Sequence, residues 1–134
     1  MTHKILIVED DTDDQVLFIE TIQQIDPFYE FAAVGNGAEA MEYLSNTNTM
    51  PSLILLDLNM PLMNGYELLA LLQKAPHFNS IPVVIFSTSN TPADQQRTKK
   101  LGARHFFTKS SDPNVLKANL TKVLFEDGHT LKKT

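Results

Sequence analysis

Four short stretches carry apolar residues without interruption: Ile5-Leu6-Ile7-Val8, Leu53-Ile54-Leu55-Leu56, Val83-Val84-Ile85-Phe86 and the weaker His105-Phe106-Phe107. A strand with one wet face alternates apolar and polar residues, so unbroken runs predict strands covered on both faces. Between them apolar positions recur with helical spacing: Val16, Ile19 and Ile22 with Phe18 and Ile25; Ala38, Met41 and Leu44; Leu68, Leu69 and Leu72; Leu116, Leu120, Val123 and Leu124. These segments predict amphipathic helices. Phe28 to Val34 is less apolar and predicts a fifth strand at a sheet edge, and Ala93 to Leu101 completes five helices. Strict alternation of strands and helices predicts an α/β domain, a five-stranded parallel sheet doubly wound by helices.

Local signals mark the boundaries. Asn64 with Glu67 three residues on can close a helix start, and Thr91-Pro92 and Asp112-Pro113 each set an oxygen acceptor before a proline suited to a first turn. Gly102 reads as a helix stop after Lys99-Lys100-Leu101, Asn36-Gly37 reads as a turn, and the residues after about Glu126 read as a loose tail. The helix Ala93 to Leu101 has little apolar stripe to dock. It is either a solvated surface helix held at its ends or a mobile one whose exposed face meets a partner.

A length of 134 residues makes one ordinary domain and excludes a two-domain enzyme. With 43% hydrophobic and 20% charged residues the chain needs neither disorder nor disulfides to explain it, and the lack of cysteine removes thiol redox chemistry and thiolate zinc sites. No run approaches a membrane span, so a cytoplasmic protein is expected. The net charge of -5 argues against direct binding of nucleic acid. Its distribution is more informative: residues 1–67 hold 12 acids and one base, Lys4, whereas residues 68–134 hold 4 acids and 10 bases. The acids of the first half need cations from elsewhere.

In a doubly wound sheet chemistry gathers at the C-terminal ends of the strands. Here those ends carry Glu9-Asp10-Asp11, Asp57, Ser87-Thr88 and Lys109. Each residue alone is an ordinary loop or cap residue; four strand ends agreeing is a constellation. Like charges ~4 Å apart cost on the order of 4 kcal/mol at an effective dielectric of 20, so crowding Glu9, Asp10 and Asp57 implies a divalent cation. All-oxygen ligation suits Mg²⁺. A carboxylate held beside that ion can attack a phosphoryl group, and Asp57, rigidly placed after a buried strand, is the candidate nucleophile. The following loop, Leu58-Asn59-Met60-Pro61, offers carbonyls to the metal, Lys109 would pair with phosphoryl oxygens, and Ser87 would donate a hydrogen bond. His3, His77, His105 and His129 show no metal-ligand spacing and receive no role.

The ordered set Glu9-Asp10, Asp57 within Leu55-Leu56-Asp57-Leu58-Asn59-Met60-Pro61-Leu62-Met63-Asn64-Gly65, then Ser87 and Lys109, closely resembles a two-component response regulator receiver domain over roughly residues 3 to 125. The resemblance implies a flavodoxin-like fold with strand order 2-1-3-4-5, an order that spacing alone does not supply. It implies that Asp57 accepts a phosphoryl group from the phosphohistidine of a sensor histidine kinase, or from a phosphotransfer protein. Glu9, Asp10, Asp57 and the Asn59 carbonyl would organise Mg²⁺, and Ser87 and Lys109 would contact the phosphoryl group. Such a protein is a phosphoacceptor in signalling that catalyses its own phosphotransfer and autodephosphorylation. The resemblance also implies a switch, in which the Ser87 hydroxyl moves toward the phosphate and Phe106 turns inward, reshaping a face of helix four, strand five and helix five.

Three positions depart from the family pattern: Thr88 replaces the usual small residue after the switch hydroxyl and would narrow access to Asp57; Ser110 replaces the proline of a usual cis bond; and Phe106 replaces tyrosine. The strings Ser87-Thr88-Ser89 and Phe107-Thr108-Lys109-Ser110 are similar to those of single-domain receivers serving phytochrome-type kinases. With the whole chain 1–134 read as one receiver, core 3–125 and tail 126–134, no sequence remains for an output domain. The signal is expected to leave by contact with a kinase, a downstream target or a second copy.

Rival chemistries fit less well. A haloacid-dehalogenase-type phosphatase wants a second Asp where Asn59 stands, an FMN site would meet the acidic run Glu9 to Asp14, and no glycine lies in a Walker string. A receiver-shaped interaction module that is never phosphorylated remains the alternative.

Overall fold

Each apolar run forms a strand in the computed structural model, which describes residues 3–60 and 63–126. The order is β1 (Lys4–Val8), α1 (Thr12–Ile25), β2 (Glu30–Val34), α2 (Gly37–Asn46), β3 (Leu53–Leu56), α3 (Gly65–Lys74), β4 (Val83–Ser87), α4 (Pro92–Lys100), β5 (His105–Thr108) and α5 (Pro113–Glu126). All pairings are parallel and the sheet runs β2-β1-β3-β4-β5, the expected doubly wound arrangement.

Successive strand side chains point to opposite faces, and here both faces are covered. Leu6, Val8, Ile54, Leu56, Val83 and Ile85 pack with Ala40 and Leu44 of α2 and with Leu68, Leu69 and Leu72 of α3. Ile5, Ile7, Leu53, Leu55, Val84 and Phe86 pack on the other side with Phe18 and Ile22 of α1 and with Leu116, Leu120, Val123 and Leu124 of α5. Burying each large side chain contributes ~1.5 to 3 kcal/mol. The three central strands are thus a stiff platform for whatever follows their C-terminal ends.

Several boundaries have identifiable causes. Asn64 and Glu67 form the expected reciprocal capping box, Thr91 caps α4 ahead of Pro92, and Gly102 closes that helix with φ of +99°. The Asp112 carboxylate accepts the Asn114 N–H at 2.9 Å at the start of α5. The edge strand is shorter than the expected Phe28 to Val34, because Asp26 accepts the Phe28 N–H at 3.0 Å and turns the chain before pairing begins at Glu30. Asn36-Gly37 is no separate turn: Asn36 caps α2, accepting the Glu39 N–H at 2.9 Å, and Gly37 is its first residue. Glu126, placed at the start of the tail by sequence, is instead the last residue of α5; residues 127–134 lie outside the described set.

Helix α4 buries only Thr98. Its attachment is largely polar and lies at its N-terminal end. The Asp94 carboxylate accepts hydrogen bonds from the hydroxyls of Tyr66 in α3 and of Ser89, and from Thr91 at 2.9 Å, while the Arg97 guanidinium lies 3.8 Å from the centre of the Tyr66 ring. These three hydroxyls hold the Asp94 carboxyl below its ordinary range; burial, with Asp94 beside it, pushes the Tyr66 phenol up to about 12.

Candidate functional site

The ladder sets the site. Past the last β1–β3 pair, Val8 with Leu56, the Asp57 N–H donates to the Val8 carbonyl at 3.0 Å, and the Glu9 N–H donates to the Val34 carbonyl at 3.0 Å. Glu9 and Asp57 therefore leave adjacent strands side by side. Across the sheet, Ser87 ends β4 opposite Thr108, and its carbonyl accepts the Lys109 N–H at 2.8 Å. Parallel pairing brings residues separated by up to 100 positions to one edge.

Candidate oxygens of Glu9, Asp10 and Asp57 lie within 4.8 Å of one another. Glu9 and Asp57 are buried, at 1% and 6% exposure, whereas Asp10 is exposed. The Lys109 ammonium lies 2.6 Å from Glu9 Oε1 and 3.7 Å from Asp57 Oδ2. It also donates a hydrogen bond to Asp14 Oδ2 at 3.1 Å. Burial pushes the Glu9 carboxyl up to about 7, opposed by Lys109 and reinforced by the charge of Asp57. Burial likewise raises Asp57 against the pull of Lys109. For Lys109 burial works downward, but the carboxylates around it prevail and hold the ammonium well above its usual range.

These groups suit a hard cation. The carboxylates of Glu9, Asp10 and Asp57 outnumber the Lys109 ammonium, which lies 2.6 Å from the buried Glu9 Oε1, and an ion would relieve the excess negative charge. The exposed Asp10 leaves one side open to water. The exposed Asn59 donates its N–H to Asp57 Oδ1 at 3.3 Å, which fixes the loop after the strand.

Ser87 is fully buried, and its hydroxyl accepts the Ser89 N–H at 3.2 Å. Thr88 is exposed, and Phe106 is half-buried against the α2–α3 side of the core. No cis peptide occurs among the described residues. Asp11, grouped by sequence with the acids of the strand end, caps α1 instead, accepting from the N–H groups of Asp13 and Asp14. The carboxylate that joins Lys109 is Asp14. Helix phase could have found it: with the cap at Asp11, Asp14 is the third helical residue and faces back over the strand ends.

Comparison with known proteins agrees with this geometry. The description "Response regulator receiver domain" matches residues 5–121. The chain is 31% identical to the probable transcriptional regulator ycf29 of Pyropia yezoensis over 95% of its own length, and spans 55% of that relative. It is 34% identical to the response regulator Rcp1 of Synechocystis sp., covering 79% of this chain and 76% of Rcp1. Among solved structures, the phosphorylated cyanobacterial phytochrome response regulator RcpA superposes with a TM-score of 0.89 at 32% identity, covering 98% of each chain. The Mn(2+)-bound form of Rcp1 superposes with a TM-score of 0.84 at 29% identity, covering 98% of this chain and 97% of that one.

Proposed function

The chain belongs to the response regulator receiver domain family, phosphoacceptor signalling proteins of two-component systems, and on that premise we propose that Asp57 is its phosphoacceptor. The observation that carries this reading is the meeting of Asp57 with Glu9 and Asp10, their oxygens within 4.8 Å, under an ammonium 3.7 Å away. An Asp57 carboxylate oxygen forms a bond to phosphorus as the phosphorus–nitrogen bond of a phosphohistidine breaks. The electron pair returns to the imidazole, which takes up a proton. Lys109 sits where it can balance charge on the transferred oxygens, and Ser87 supplies a hydroxyl to one of them. Asn59 keeps the acceptor carboxylate from rotating.

Glu9, Asp10 and Asp57, with the carbonyl of Asn59, would hold Mg²⁺. That ion supplies positive charge to the carboxylates and to the phosphoryl oxygens. The Mn(2+)-bound form of Rcp1 supports a divalent site here, and the phytochrome response regulator RcpA supports a phytochrome-type histidine kinase as donor. Residues 3–125 then act as one cytoplasmic receiver unit. Its output is a rearrangement of Ser87, Phe106 and the α4–β5–α5 face toward a protein target or a second copy.

The test is incubation with acetyl phosphate and Mg²⁺, read by intact mass. One phosphoryl group is expected on the wild type, none after EDTA and none on Asp57→Asn. An unmodified wild type, with small donors and histidine kinases alike, would favour a receiver-shaped interaction module.

A further inference from the structure

We infer that Asp14 is a positioning residue that holds the Lys109 ammonium beside Asp57, an inference that rests on the phosphoacceptor reading above. The root of Lys109 is fixed by its backbone bond to Ser87. Its head, on a flexible four-carbon stem, is not fixed by that bond and takes its position from its acceptors. Three carboxylates surround it, at 2.6 Å for Glu9, 3.1 Å for Asp14 and 3.7 Å for Asp57. The Asp14 contact is a hydrogen bond, and the Glu9 contact is the shortest of the three.

The three differ in what else they do. Glu9 and Asp57 belong to the group able to hold a cation, and Asp57 gives up an oxygen when it takes a phosphoryl group. Both therefore change their claim on Lys109 during the reaction. Asp14 takes part in neither event. It stands in the first turn of α1, its N–H accepted by Asp11 at 3.2 Å, and that helix is anchored in the core by Phe18 and Ile22. The small crevice that Asp14 and Lys109 share, about 30 Å³, is otherwise walled mainly by Leu17, Phe18, Phe86 and Leu116. An ammonium released from Asp14 meets apolar carbon on that side and swings to Glu9 or to solvent. Asp14 is thus the acceptor whose hold persists while Glu9 and Asp57 are engaged elsewhere.

The experiment measures beryllofluoride, a phosphoryl mimic, binding in the presence of Mg²⁺ by titration calorimetry. Asp14→Asn should weaken binding about fivefold, the scale of a half-exposed ion pair, and Asp14→Glu should recover it to within about twofold. In a Lys109→Met background, Asp14→Asn should have no further effect. Wild type that binds while Asp14→Asn binds as tightly or more tightly overturns the inference and leaves the phosphoacceptor reading intact; wild type that fails to bind overturns both. A melting cycle on ligand-free protein reads the same pair without the mimic. Non-additive effects of Asp14→Asn and Lys109→Met are expected, and strictly additive effects would overturn the coupling.

Discussion

Asp57→Asn should stabilise the metal-free protein. The substitution keeps size and the ability to accept the Asn59 N–H, and removes one charge from a site that holds too many. At an effective dielectric of 20, repulsion from each of Glu9 and Asp10, whose oxygens lie no more than 4.8 Å away, is at least about 3.5 kcal/mol, and attraction to Lys109 at 3.7 Å is about 4.5 kcal/mol. The two repulsions together exceed the attraction by about 2 kcal/mol, and release from burial acts in the same direction, consistent with the raised Asp57 carboxyl. For a domain of this size about 2 kcal/mol moves the melting temperature by roughly 5 to 10 °C. The assay is thermal unfolding by circular dichroism in EDTA at pH 8, where Glu9 is ionised. At pH 5, with Glu9 protonated, the gain should shrink, and millimolar Mg²⁺ should stabilise wild type more than the variant. A lower melting temperature for Asp57→Asn at pH 8 without metal would show instead that Lys109 already neutralises the cluster.

Four further outcomes are expected. Because burial holds Glu9 at about 7 against 4.5 in the unfolded chain, its stabilising effect is complete below pH 4.5 and lost as pH rises through 7. Metal-free protein should therefore unfold more easily at pH 8 than at pH 5, by up to about 3 kcal/mol, and the reverse order in denaturant titrations would contradict this. Gly65→Ala should destabilise by ~1 to 3 kcal/mol in urea titrations, since a Cβ there would meet the Asp57 carbonyl oxygen at 2.6 Å and Leu58 Cα at 2.7 Å, both backbone atoms; a neutral result would mean that the loop after Asp57 yields freely. Asp94→Asn should speed amide hydrogen exchange in α4, which buries only Thr98, and leave α1 unchanged; equal protection in both proteins would show that the carboxylate is not what anchors the helix. Thr88→Ala should speed phosphorylation or hydrolysis of the phosphoryl group if its methyl group restricts approach to Asp57, and unchanged rates in a phosphate-release assay would remove that role.

The fold was legible because both sheet faces are buried, which turns Ile5 to Val8, Leu53 to Leu56 and Val83 to Phe86 into unbroken apolar runs. The site was legible for a related reason: its residues follow directly on those runs. Glu9, Asp57 and Lys109 are brought together, and Asp10 joins them from the exposed side. What escaped depends on orientation rather than composition. Asp11 and Asp14 lie in one acidic run, and only the phase of α1 makes the first a cap and the second a partner of Lys109. The short β2 and the capping role of Asn36 were missed because single side-chain acceptors, Asp26 for the Phe28 N–H and Asn36 for the Glu39 N–H, fixed those ends. For α4 the weak apolar stripe was evident, but the hydroxyls gathered on Asp94 come from two segments, Ser89 and Thr91 from the loop before α4 and Tyr66 from α3, and no local pattern reveals the arrival of Tyr66.

Locating the phosphoryl group decides whether Asp57 is the acceptor. Protein treated with acetyl phosphate and Mg²⁺, then reduced with borohydride, converts an aspartyl phosphate to homoserine, which peptide sequencing by mass spectrometry assigns to one position. Homoserine at residue 57 is predicted, and it should vanish when EDTA is present during phosphorylation. Homoserine at another aspartate, or phosphate that resists reduction on a serine or histidine, would contradict the account.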